Sequence, residues 1–236
     1  MRGSRQFLQL IICLAVNSCV ASAQGDTAVD VHLRFALTGP KTHHPLPAAV
    51  IWLVPMRQTP PAPFVPDRHY RLVQKNREFK PHLLVIPVGS IVDFPNKDPF
   101  FHNVFSLFDG KRFDLGLYEA GAIKSVTFSR EGVSYIFCNI HPEMSAVILT
   151  LSTSLFSIAD SEGSFRIAQV PAGDYEMHVW IEGFTQPSLN TMDRRVHITQ
   201  NSGDLGVVDV PATPQKAAPH TNMYGQPYDR ETKPAY

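Results

Sequence analysis

The 236-residue sequence predicts an all-β protein, on three observations. Short runs rich in Val, Ile, Phe and Tyr alternate apolar with polar residues at the period of a half-buried strand, and no stretch sustains a helical period. Gly, Pro, Asn and Asp punctuate those runs, each for its own turn geometry. Hydrophobic residues make up 44% of the chain, enough to fill packed cores. Strands are expected at residues 30–37, 48–54, 69–75, 83–87, 90–94, 102–107, 123–128, 133–138 and 146–151, and then at 155–159, 164–167, 175–181, 195–199 and 205–210.

Punctuation on a larger scale divides the chain. Arg2 and Arg5, an apolar stretch over 7–16 and Ala21-Ser22-Ala23 read as an export signal spanning residues 1–23, so the mature protein is expected in the periplasm or outside the cell. A lipid anchor at Cys19 is the weaker alternative, because Val16-Asn17-Ser18 makes a poor lipobox. No other run is long and apolar enough for a transmembrane helix. Residues 55–67 hold five prolines, which cannot donate to a ladder, and read as a linker. A second boundary falls near Ser152, and from Ala212 the composition is that of a disordered tail, which includes His220 and Met223. The expected parts are therefore residues 27–58, 66–152, 153–210 and the tail 211–236. Lys plus Arg and Asp plus Glu number 21 each, so net charge gives no reason to expect nucleic-acid binding.

Loss of the signal would remove Cys13 and Cys19 and leave Cys138 alone, with no intramolecular disulfide possible. A lone thiol in an oxidising compartment is a liability unless buried or bound. Cys138 opens the stretch Cys-Asn-Ile-His-Pro-Glu-Met, with His141 and Met144 at three-residue steps. On a helix Cys138 and Met144 would lie roughly 9 Å apart along the axis, and on a strand Cys138 and His141 would face opposite sides. Only a curled loop can bring the three together, and Asn139 and Pro142 suit one. A fourth donor stands upstream in FPNKDPFFHNVFS, where a turn at residues 96–99 leads to His102 at a strand end. Two imidazoles, a thiolate and a thioether form a donor set that suits copper in both oxidation states, whereas Met is a poor zinc ligand.

These residues resemble the cupredoxins, the blue copper proteins such as plastocyanin and amicyanin. The Cys-x-x-His-x-x-Met spacing is similar to amicyanin's short ligand loop, NKDPFFHNV to the segment that carries the first ligand, and FKPHLLVIPVGSIVDFPNKD to the preceding strands. The resemblance covers about residues 66–152. It implies a Greek-key β-sandwich with one copper ion on His102, Cys138, His141 and Met144, and the backbone N–H of Asn103 on the Cys138 sulfur. It also implies single-electron transfer, with His141 as the electron's exit and Phe100 and Phe101 either as an apolar collar or as packing under the loop. A c-type cytochrome or a dehydrogenase is the kind of partner implied. The remaining histidines, His32, His43, His44, His69, His82, His178 and His197, read as surface or strand residues. No His-x-His pair occurs, so the histidine equipment of multicopper oxidases and nitrite reductases is missing and the chain is not expected to be an enzyme. Copper capture and delivery, or a metal-free binding scaffold, are the alternatives.

LFSIADSEGSFRIAQVPAGDYEMHVWIEG resembles the carboxypeptidase regulatory-like, transthyretin-type sandwich. The opening strands of such a unit are missing before Leu155 but present at VDVHLRFAL and LPAAVIWLV. The resemblance therefore implies that residues 27–58 and 153–210 form one smaller sandwich, with the copper unit inserted; two consecutive domains are the alternative. Trp52 and Trp180 would then share a core.

Overall fold

A computed structural model describes residues 28–38, 46–56, 64–65, 69–107, 110–211 and 222–227. The expected signal, the anchor alternative at Cys19, His43 and His44, most of the linker and most of the tail, including His220, lie outside them. No helix among the described residues is long and apolar enough to cross a membrane.

The protein is an all-β sandwich. Its strands are β1 (Val29–Thr38), β2 (Ala49–Pro55), β3 (Tyr70–Arg71), β4 (Val73–Lys75), β5 (Glu78–Lys80), β6 (Leu83–Pro87), β7 (Ser90–Pro95), β8 (His102–Ser106) and β9 (Phe113–Tyr118). They continue as β10 (Ile123–Phe128), β11 (Gly132–Cys138), β12 (Ser145–Leu151), β13 (Phe156–Ile158), β14 (Ser164–Val170), β15 (Gly173–Ile181), β16 (Arg194–Ile198) and β17 (Asp204–Pro211), with one short helix, α1 (Gln186–Asn190).

Two sheets enclose one core. The order β10-β7-β3 faces the five-stranded β6-β12-β11-β8-β9, and Leu72, Ile86, Phe94, Val104, Phe128, Ile136 and Ile148 fill the space between. The middle of the larger sheet is buried on both faces. Along β12, Ala146 and Ile148 enter this core, while Val147, Leu149 and Leu151 enter a second core with Ile51, Trp180 and Phe165. A strand wetted on neither face has no polar alternation, which is why residues 146–151 read as a near-continuous apolar run.

The second core belongs to the sheets β14-β1-β17 and β13-β2-β15-β16. β2 pairs antiparallel with β15 from Ala49↔Ile181 to Pro55↔Tyr175, and with β13 on its other side. β1 pairs with β14 and β17. Trp180 is buried and its Nε1–H points to the Tyr135 hydroxyl of β11 at 3.4 Å, whereas Trp52 is half-buried and stacks on His178.

Three features escape the sequence pattern: an edge strand, a hairpin and a short helix. β9 carries Gly116 at a φ of 63° with Leu117 turned outward, so its alternation is broken. β4 and β5, expected as part of one strand or as loop, form a hairpin whose turn residues Asn76 and Arg77 both have positive φ, 58° and 57°, without the glycine that usually signals it. α1 spans five residues and buries only Leu189, too little to register as a period.

Candidate metal centre

Strand register sets the first two donors side by side. Cys138, the last residue of β11, pairs with Val104 of β8. Val104 and His102 share a face of β8, so the thiol and the first imidazole emerge on the same side at one end of the sandwich. β11 and β12 then part after the pair Phe137↔Ser145, and the chain curls. The Met144 N–H donates to the His141 carbonyl at 3.0 Å and the Cys138 N–H to the Met144 carbonyl at 3.3 Å, which folds His141 back over Cys138.

Three donors converge. The Cys138 Sγ lies 3.7 Å from both His102 Nδ1 and His141 Nδ1, and the two nitrogens are 3.2 Å apart. A point equidistant from all three is about 2.1 Å from each, within the ~2.0–2.3 Å over which imidazole and thiolate bind a divalent ion such as zinc. The three are the group of ionisable side chains, among the described residues, that could hold a metal ion, and all are buried. Met144 is buried in the same core as Cys138.

The surroundings prepare the donors. His102 Nε2 is 2.9 Å from the Asp98 Oδ2, with both groups buried. The Asp98 carboxylate also accepts the N–H groups of Asn76 at 2.6 Å and Arg77 at 3.0 Å. Burial pushes its pKa up, but the Arg77 amide, His102 and the Asn76 amide outweigh it and hold Asp98 below the usual carboxylate range. Burial lowers the pKa of His102, so the ring is neutral with its proton on Nε2 and its Nδ1 lone pair free toward Cys138. Burial likewise lowers that of His141. It raises that of the Cys138 thiol, while hydrogen bonds from the backbone N–H groups of Asn103, Ile140 and His141 act the other way; the Asn103 contact is the one the sequence resemblance implied.

Asn96 frames the turn before His102. Its side chain accepts the Asp98 N–H at 3.0 Å and donates to the Phe100 carbonyl at 2.7 Å. Phe100 is half-buried, with its ring centroid 5.3 Å from that of His102 and 5.5 Å from that of His141. The Arg77 guanidinium lies over the same ring, 5.4 Å from its centroid. Phe101, by contrast, is 51% exposed. The two rings expected to act alike are thus divided, one as packing on the imidazoles and one at the surface.

One expectation needs correction. His141 is 2% exposed and its Nε2 is buried, so the imidazole edge expected as the electron's exit is not at the surface. Asp98 and Arg77 were not singled out from sequence. The acidic residue four positions before His102 was visible, but the hairpin turn whose amides stabilise its charge was not.

Residues 156–204 match a family described as polysaccharide lyase family 4, domain II. No curated protein matches the chain. Among solved structures the chain is similar to a Cu-containing nitrite reductase from Thermus scotoductus SA-01 at 26% identity, over 37% of this chain and 22% of that one, with a TM-score of 0.34. It is similar to a purple cupredoxin from Nitrosopumilus maritimus at 26% identity, over 36% and 100%, with a TM-score of 0.32. It is also similar to a reduced mutant of amicyanin at 18% identity, over 43% and 98%, with a TM-score of 0.34. These neighbours are cupredoxins matched at low score over part of the chain, which itself spans about a fifth of the nitrite reductase.

Proposed function

We propose that the chain is an exported one-copper protein that carries single electrons, with the ion held by His102, Cys138, His141 and the weaker donor Met144. The observation that carries this reading is the buried convergence of Cys138 Sγ and two imidazole Nδ1 atoms around one point. Copper bound there would supply a Cu(II)/Cu(I) couple, for which a thiolate, two imidazoles and a thioether are suited donors.

The chain's own residues do the rest. Asp98 fixes the His102 tautomer, backbone amides stabilise the sulfur anion, and the sandwich core holds the donors so that little rearranges between oxidation states. Because His141 is covered, the route to a partner runs by way of Phe100 to the exposed ring of Phe101. That ring offers a small apolar contact for a redox protein such as a c-type cytochrome or a dehydrogenase. Burial of all four donors disfavours rapid delivery of the metal to an acceptor. We also propose that residues 66–152 form a unit inserted into a smaller transthyretin-like sandwich made of 27–58 and 153–210, a division supported by the β2–β15 ladder.

The test is an absorption spectrum of the purified protein after addition of Cu(II), repeated with Cys138→Ala. The expected result is an intense visible thiolate-to-copper band and a reversible redox couple, both lost in the variant. A wild-type protein with no such band, or one that surrenders Cu(I) rapidly and shows no reversible couple, overturns the carrier reading.

A further inference from the structure

We infer that the C-terminal part of the chain clamps the metal-binding loop at both ends, which gives the second sandwich a positioning role. This rests on the copper reading for its consequence, though not for its geometry. The β11–β12 ladder stops at Phe137↔Ser145. From there to Met144 the loop is curled by bonds among its own residues, including the Met144 N–H to the His141 carbonyl and the Ile140 and His141 N–H groups to the Cys138 sulfur. Two contacts from elsewhere in the chain bracket it.

At the downstream end, the Ser145 carbonyl lies 3.2 Å from His82 Nδ1, and His82 Nε2 lies 2.7 Å from Glu182 Oε1. A backbone carbonyl and a carboxylate only accept, so a ring that makes both bonds carries protons on both nitrogens. Glu182 supplies the charge that favours this state. Its own N–H is tied to the Ala48 carbonyl at 2.8 Å, so the carboxylate is anchored where β15 meets β2. At the upstream end, the Asn139 Oδ1 accepts the Met223 N–H at 3.0 Å. Met223 belongs to a turn closed on itself. The Asn222 side chain accepts the N–H groups of Tyr224 at 3.0 Å and Gln226 at 2.9 Å, and the Asn222 N–H donates to the Gln226 carbonyl at 2.8 Å. One tie therefore falls on the residue after Cys138 and the other on the residue after Met144. Both reach outside residues 69–152, and β12 itself is packed into the second core by Val147, Leu149 and Leu151.

Hydrogen–deuterium exchange on the full metal-free chain tests the clamp, comparing wild type with Glu182→Ala and with Asn222→Ala. Exchange in peptides covering residues 138–145 should quicken about five-fold in each variant, the factor corresponding to one net hydrogen bond, with β8 unchanged. In the copper-loaded protein the same variants should shift the visible band and the reduction potential. Unchanged loop exchange in both variants overturns the clamp, even where wild type binds copper with the expected band. Loosened loops in a protein that gives no such band sustain the clamp and bring down the copper reading alone.

Discussion

Asp98 is the side chain on which the orientation of the first imidazole turns. Two backbone amides from the β4–β5 turn and the His102 ring all donate to it, so it must be an acceptor on every side and is held ionised. Asp98→Asn keeps the shape but places an amide N–H against one of those donors and removes the negative charge. An anionic partner raises the basicity of a metal-bound imidazole and favours the more highly charged oxidation state. The substitution should therefore weaken Cu(II) binding by about 10- to 100-fold, with a smaller effect on Cu(I), and so raise the reduction potential. Competition titrations in each oxidation state with spectroelectrochemistry would check both; a lowered potential would contradict the argument. Phe100 acts in another way at the same place, since its ring packs on both imidazoles and also carries the Arg77 guanidinium over it.

At the level of elements, β11 and β12 and the loop between them fix the site, and they are also what the sequence displays most openly. The Cys-x-x-His-x-x-Met spacing excludes a helix or a straight strand, and the apolar run of β12 marks a strand covered on both faces. His102 was legible as a strand-end residue because a turn rich in Asn, Asp and Pro precedes it. What stayed hidden were features that depend on distant partners: the edge strand β9, the docking of the Asn76–Arg77 turn on Asp98, and the burial of His141. Gly110 shows why such contacts leave little trace. A Cβ built there would come within 2.5 Å of the Ser134 Oγ and of the Val133 carbonyl of β11, so the chain entering β9 needs a residue without a side chain. Gly110→Ala should cost about 1–3 kcal/mol, because backbone on one side must move. Denaturant unfolding of the metal-free protein would show it as a lower midpoint at unchanged slope.

Across the whole molecule, the five-stranded sheet belongs to two cores at once, and this predicts how the protein unfolds. Leu149 is buried on the face of β12 that enters the second core. Leu149→Ala should remove about 2–5 kcal/mol and lower one shared thermal transition rather than the earlier of two. Two separated transitions in wild type would show that the shared core does not couple the halves. The histidines then set how that stability depends on pH. His102 and His141 have their pKa values lowered from 6.5, chiefly by burial, so the unfolded chain binds more protons than the folded one below that value. Their contribution is present above pH 6.5 and is lost as pH falls through the lowered folded values. His82 has the opposite sign. Its hydrogen bond to Glu182 raises it from 6.5, so its contribution is complete below pH 6.5 and is lost as pH rises through the raised folded value. His82 is 45% exposed, so the effect is the smaller of the two. Metal-free stability should therefore fall in mild acid, where two buried rings outweigh one surface pair. His82→Gln should be less stable than wild type at pH 6, with the gap closing as pH rises past the folded His82 pKa. Chemical denaturation at a series of pH values would measure that difference, and a gap that widens as the pH increases would remove the charged His82 from the bridge between Glu182 and Ser145.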